Sequence, residues 1–284
     1  MNRFYTRCLL RKYIAKIKII AVFTLALIVI LNSACFAASQ PGIKDIVVCN
    51  VYWENYKYVH LPGPRLSKFV VTFQANHSPD PSAMESLSVE GPGNYAHTIN
   101  ITPYSQSNLN GYIETPGSIW FMAFDRSGFL KNGTYTITLK YRDSKVSTKS
   151  RVLNYTGDIL DAYLRTRKSF SPSNRLDSTI PLDRVILKWT VLEGLEAYYM
   201  TRLGEYPLRK STRTSSNWLF QDTVFGYGTG NPHNTGLNKG QVLVNKTLQP
   251  NTGYLWFTEI LDSNDFNRIN IAIFQFYQYF KTGE

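Results

Sequence analysis

Residues 130–141 read LKNGTYTITLKY, and the order of their last eight leaves one local structure open. Tyr135, Ile137, Leu139 and Tyr141 alternate strictly with Thr134, Thr136, Thr138 and Lys140. Successive side chains of a strand point to opposite faces, so this pattern predicts a β-strand with one buried and one solvated face. Asn132-Gly133 before it is a turn signal, and the RDSK turn after it lets STKSRVLNY (147–155) pair back. Such a strand needs partners, and the preceding sequence supplies them. IKDIVVCNVYW (43–53), KFVVTFQAN (68–76), SLSVEGPG, YAHTINITPY (95–104) and SIWFMAF (118–124) all read as short strands between turn residues. About seven strands at this spacing predict a sandwich or barrel.

Aromatic residues make up 14% of the chain, which favours β structure, and 43% hydrophobic content supplies a core. The formal charge of +11 is concentrated at the start. Residues 1–37 carry Arg3, Arg7, Arg11, Lys12, Lys16 and Lys18 and no acid, leaving 25 basic against 20 acidic residues elsewhere. That remainder is an ordinary surface and gives no nucleic-acid footprint.

The basic start precedes IIAVFTLALIVIL (19–31), an apolar run of signal-peptide length, and then NSACFAASQ. Ala37-Ala38 allow cleavage after Ala37, so residues 1–37 are expected to be a signal peptide and the mature protein to be extracytoplasmic, periplasmic or secreted. Leu-Asn-Ser-Ala-Cys (31–35) also resembles a bacterial lipoprotein signal. The alternatives are therefore lipidation of Cys35, which would anchor the protein to the envelope, or a leader left uncleaved as an anchor, with no other tie to the membrane. Cys49 would then be alone in the mature chain, and it is expected to be a buried thiol acting as a small hydrophobe.

The expected organisation is all-β: a sandwich over 38–156, a linker and start of the second domain over 157–181, and a second sandwich over 182–284. Within 157–181, GDILDAYL (157–164) reads as a short helix or a strand, and 165–181, rich in Ser, Pro, Asn and Arg, runs into the first strand of the second domain. The entry Asn-Gly-Thr-Tyr (132–135) resembles the approach to the penultimate strand of immunoglobulin-like domains. SVEGPG resembles a turn of bacterial immunoglobulin-like modules. The second half resembles a fibronectin type III domain over about 170–280. Four features carry that resemblance: Trp189 in the second strand, Tyr198 or Tyr199 in the third, the Leu248-x-Pro250-x-Thr252-x-Tyr254 run, and a final strand ending in FQFYQYF (274–280). It implies that Leu248 packs in the core, that Pro250 fixes the crossing between sheets, and that the Tyr254 hydroxyl bonds back to the backbone. These are structural corner residues, with Trp189 beneath them.

Enzyme signatures do not emerge. The sequence has no His-Glu-x-x-His, no Gly-x-Ser-x-Gly and no phosphate-binding glycine loop, and His60, His77, His97 and His233 stand at no metal-ligand spacing. No cofactor, metal site or catalytic residue is expected. The expected role is non-catalytic: binding a protein or glycan partner, or structural spacing, through loops and sheet edges. LDSNDFNR (261–268) is the candidate binding loop, with Asp262, Asn264, Asp265, Asn267 and Arg268 as its polar groups. Two alternatives remain. Exposed rings at Trp218, Phe220, Tyr227 and Trp256 would suit a glycan-binding accessory module. A functional carboxylate among Asp222, Glu259 and Asp262 would suit an unrecognised hydrolase.

Overall fold

The computed structural model describes residues 40–57, 60–73, 78–105, 107–115, 118–173, 175–206, 219–222 and 237–284. The expected leader with Cys35, as well as His77, Trp218, Tyr227 and His233, lies outside these residues. Among the described residues no helix is long and apolar enough to cross a membrane.

The first half contributes β1 (Ile43–Trp53), β2 (Arg65–Phe73), β3 (Met84–Gly91), β4 (Tyr95–Thr98), β5 (Asn110–Thr115), β6 (Ser118–Asp125), β7 (Gly133–Tyr141) and β8 (Val146–Leu153). A helix, α1 (Asp158–Arg165), follows. Then come β9 (Phe170–Ser171), β10 (Arg175–Ile180), β11 (Ile186–Trp189), β12 (Tyr198–Glu205), β13 (Phe220–Asp222), β14 (Gln241–Leu243), β15 (Gly253–Leu261), β16 (Ile271–Phe274) and β17 (Gln278–Thr282). The stretch 157–181, read as a linker and the start of the second domain, holds one helix and two strands. Ile159, Leu160 and Tyr163 of α1 recur at helical spacing and are all buried.

The strands form three sheets. One runs β4-β3-β7-β8, and a small one runs β14-β11-β9. The third has ten strands, ordered β10-β17-β15-β16-β1-β2-β6-β5, with β12 on the other side of β15 and β13 beside β12. This large sheet takes strands from both halves of the chain. The halves meet where β1 and β16 pair in parallel, Asn50 opposite Ile271 through Trp53 opposite Phe274. Residues Pro41–Glu284 accordingly form one compact unit.

Hydrophobic alternation decides what each face covers. Tyr135, Ile137, Leu139 and Tyr141 of β7 point inward with Leu87 and Val89 of β3, meeting Ile46, Val48, Phe69 and Val71 of the large sheet. A second core lies between the small sheet and the other end of the large one. Leu187, Trp189 and Val242 there meet Tyr199, Leu203, Tyr254, Trp256 and Phe280, with α1 at the side. The opposite face of the large sheet carries a third apolar cluster that includes Val47, Cys49, Val51, Trp53, Val70, Phe257 and Phe274. β1 is therefore buried on both faces, which accounts for its unbroken IVVCNV run. Burial pushes the Cys49 thiol up to about 12, so it is unreactive at neutral pH.

FQFYQYF is paired on both sides in its two strand parts, while Phe276 in the break between them is exposed. β16 lies between β15 and β1, and β17 between β15 and β10. The strand breaks at 275–277 because two side chains take over its backbone groups. Phe276 N–H donates to Glu54 Oε2 at 3.0 Å, Tyr277 N–H donates to Asn55 Oδ1 at 3.2 Å, and Gln275 O accepts from Asn55 Nδ2 at 2.8 Å.

The two turns of the first half lock into each other. Tyr135 Oη donates to Lys131 O at 2.9 Å, which fixes the ring against Gly91. A β-carbon on Gly91 would lie 2.3 Å from that ring. Gly91→Ala is expected to destabilise the protein by about 1–3 kcal/mol, the usual cost of overpacking. Thermal melting checks this, and an unchanged midpoint would mean that the Tyr135 ring can move aside.

Candidate functional site: the polar loop and the buried charges

Residues 262–270 join β15 to β16, and most of the loop's polar groups turn toward the protein. Asp262 Oδ1 accepts from Asn270 N–H (2.8 Å) and Ile271 N–H (3.2 Å), and Oδ2 accepts from Asn270 Nδ2 (2.9 Å). Burial raises the Asp262 carboxyl above the usual carboxylate range, and these donors work against the rise. Asp265 caps a short 3₁₀ turn by accepting from Asn267 N–H at 2.9 Å. Asn267 then reaches β1: its Oδ1 accepts from Ile46 N–H at 3.2 Å, and its Nδ2 donates to Asp45 Oδ1 at 3.1 Å. Arg268 is exposed and Asn264 partly so.

Two residues that sequence reasoning passed over complete this clasp. Arg151 of β8 is buried. Its Nη1 donates to Ile269 O at 2.6 Å and its Nη2 to Asn270 Oδ1 at 3.0 Å. Asn270 Oδ1 also accepts from Asn154 N–H at 2.9 Å. The loop thus ties β15 and β16 to β1 and β8. Only Asn270's nearness to the predicted loop marked it in the sequence, and nothing there pointed to Arg151.

Glu259 is the other chemically notable group. It interrupts the apolar run YLWFTEIL on β15 and is only 2% exposed. Arg202 Nη1 of β12 donates to its Oε2 at 2.6 Å, and Lys68 Nζ of β2 stands 3.5 Å from Oε1. Burial alone would raise the Glu259 pKa. The Lys68 and Arg202 charges outweigh burial and hold the carboxyl below its usual range. Aromatic rings bracket the cations. Lys68 Nζ lies 5.3 Å from the Phe274 ring centre, and the Arg202 guanidinium carbon lies 5.7 Å from that of Phe257. A lone acid in a buried strand implies cationic partners, but its sequence does not say which.

Leu248 and Pro250 lie between β14 of the small sheet and β15, in which Tyr254 is the second residue. Leu248 is buried, Pro250 is exposed, and Tyr254 is fully buried. Tyr254 Oη accepts from Gln249 N–H at 2.8 Å. Its ring stacks on Phe280 at 5.4 Å. Trp189 packs at 6.0 Å from Tyr199 and 6.4 Å from Trp256. Trp256 is fully buried, and its Nε1 donates to Pro172 O at 3.0 Å, so this ring offers no sugar platform. The side chains of Phe220 and Asp222 lie outside the described residues.

A further polar group sits at the edge of the first half. Tyr95 Oη donates to Asp125 Oδ2 at 2.7 Å, and Ser127 Oγ donates to the same oxygen at 2.6 Å. A hollow of about 180 Å³ lies beside it, lined by Tyr95, Ser127, Phe129, Lys131 and Tyr135 among others. Burial lowers the His97 pKa, and the ring stacks on Phe69 at 5.3 Å as a neutral packing element. Among the described residues no group of three or more His, Cys, Asp or Glu could hold a metal ion.

No protein-family model matches the chain, and no curated protein matches it. Among solved structures it is similar to a chain of a cytokine receptor complex at 10% identity, covering 83% of this chain and 94% of that one, with a TM-score of 0.25. It is also similar to the fibronectin(III)-like modules of Clostridium thermocellum CbhA at 4% identity, covering 81% and 93%, with a TM-score of 0.20. Scores this low establish neither a shared fold nor a shared role.

Two substitutions separate the charge cluster from the corner. Glu259→Gln leaves Lys68 and Arg202 facing a neutral amide. It should cost about 3 kcal/mol, the low end for a broken buried pair because both cations keep some solvent. Glu259 has a depressed folded pKa, so its contribution is fully present above the unfolded value of about 4.3 and is lost as pH falls through the folded value. Urea midpoints of wild type and variant should therefore differ at pH 7 and converge in strong acid. Tyr254→Phe removes the acceptor for Gln249 N–H and should cost about 1 kcal/mol. An unaltered melting temperature would show that the hydroxyl does not hold the corner.

Proposed function

We propose that this chain is an exported, non-catalytic binding or structural protein. It is built as an immunoglobulin-like sandwich and a fibronectin type III-like sandwich that share one sheet. The observation that carries this reading is how the candidate chemical groups are used. The Glu259 charge is held by Lys68 and Arg202, and Asp262 accepts from backbone and side-chain N–H groups of its own loop. A hydrolytic carboxylate has to face its substrate in a set protonation state. Glu259 instead ties β15 to β2 and β12 of the large sheet, and Asp262 holds its own loop. The buried Trp256 ring weighs against the glycan-binding alternative in the same way.

The type III-like reading of the second half rests on the order of Trp189, Tyr199, Leu248, Pro250 and Tyr254, together with the backbone bond to the Tyr254 hydroxyl. Partner binding on such a scaffold falls to loops and exposed strand surfaces. In the 262–270 loop the outward groups are Asp265 and Arg268, while Asp262 and Asn267 hold the loop in place.

Mass spectrometry of the protein from its native cells tests the export reading. A mature chain beginning at Ala38 is the expected result, and a lipid-modified Cys35 would move the protein to the envelope surface. Recovery of the chain with residues 1–37 intact in the cytosol would overturn export.

A further inference from the structure

β1 is the first described strand, and its neighbours come from distant parts of the sequence. On one edge Ile43–Tyr52 pair antiparallel with Arg65–Phe73. On the other, Asn50–Trp53 pair in parallel with Ile271–Phe274. Further bonds extend this second seam in both directions. Ile46 N–H donates to Asn267 Oδ1 (3.2 Å), Asn50 N–H to Asn270 O (2.9 Å) and Glu54 N–H to Phe274 O (3.0 Å). Glu54 and Asn55 then hold the backbone of 275–277, as described above. Lys168 Nζ, 3.3 Å from Glu54 Oε1 and 4.2 Å from the Tyr163 ring centre, fastens the chain after α1 to the same point. Arg151 reaches the segment from β8.

The seam joins residues 220 to 222 positions apart. It also completes the burial of the first half. Trp53 stacks on Phe274 at 5.0 Å, Phe124 of β6 meets the same ring at 6.4 Å, and Val47, Cys49 and Val51 share a cluster with Ala272 and Phe274. Without residues 262–277, β1 would be an apolar strand with an unpaired edge, a state that sheet proteins avoid.

We infer that residues 262–277 are a closing strap: the first half reaches its native sheet only when the strap docks beside β1, so both halves fold and unfold as one unit. Tandem domains on a linker open separately, each with its own stability. A shared sheet with a two-sided core removes that freedom. A chain that emerges N-terminus first makes β1 early and the strap late, so β1 must wait for contacts of very high sequence separation. The inference rests on the seam geometry and holds wherever the protein is located.

Hydrogen–deuterium exchange read by mass spectrometry tests it on the purified full chain. In wild type, urea titration should release amides of β2 and β6 at the same midpoint as those of β12 and β15. Two separated midpoints would overturn the strap. Ile273→Pro breaks the β16 ladder. It should strip protection from Arg65–Phe73 and Ser118–Asp125 as completely as from Gly253–Leu261. Wild-type protection of β2 and β6 in that variant would also overturn the strap. Arg151→Ala covers the case in which the proline variant does not accumulate. It should lower both midpoints equally, and a shift confined to one half would refute the coupling.

Discussion

The parallel pairing of β1 with β16 is the constraint on which the rest of the described structure depends. It places a strand from the first half beside one from the second and turns two sheet segments into one ten-stranded sheet. A strand covered on both faces has to be almost wholly apolar, and IVVCNV is so apart from Asn50, whose Oδ1 accepts from Leu130 N–H at 2.8 Å. The same pairing explains the polar residues clustered around it. Asn55 and Asn267 satisfy backbone groups at the two ends of the seam, while Asn50 serves the Leu130 N–H before β7 and Asn270 the Asn154 N–H after β8. Buried backbone groups left unpaired would cost more than these amides lose in side-chain freedom.

Charge is handled in a similar way. Glu259, Lys68 and Arg202 come from three strands of the large sheet and meet on the face that holds the third apolar cluster. A buried trio of this kind adds little net stability compared with apolar residues of the same size. Its geometric effect is clearer: it is satisfied in one alignment of β2, β15 and β12. Aromatic rings beside both cations narrow the choice further.

Local pattern was readable in the sequence, and long-range partnership was not. GTYTITLKY alternates because one of its faces meets a core, and β7 takes in all of the alternating residues 134–141. The Leu248–Tyr254 run could be read because its spacing encodes a local turn, and the Gln249–Tyr254 bond spans five residues. The seam has no such signature. Nothing in IVVCNVYW names INIAIF as its neighbour, since parallel pairing leaves no turn to find. α1 was ambiguous with a strand because GDILDAYL is short, and only its packing on the second core decides. The polar loop was noticed for its oxygens. That they face inward depends on Arg151 and Asp45, more than a hundred residues away in the chain.

The pairing of FQFYQYF on both sides of its strands has one more consequence. The segment has no charge, no proline and no glycine, and five of its seven residues are aromatic. Such a stretch is suited to stacking against copies of itself in cross-β assemblies. In the folded protein β15 holds one side of its two strand parts, and β1 and β10 hold the other, so only the Phe276 ring, in the break between them, faces outward. Its safety therefore lasts only as long as the sheet stays closed. Heating would release an adhesive strand together with the rest of the fold, and the recoverable fraction would fall with protein concentration. For such a molecule the useful measure of durability is the rate at which the sheet opens rather than an equilibrium constant.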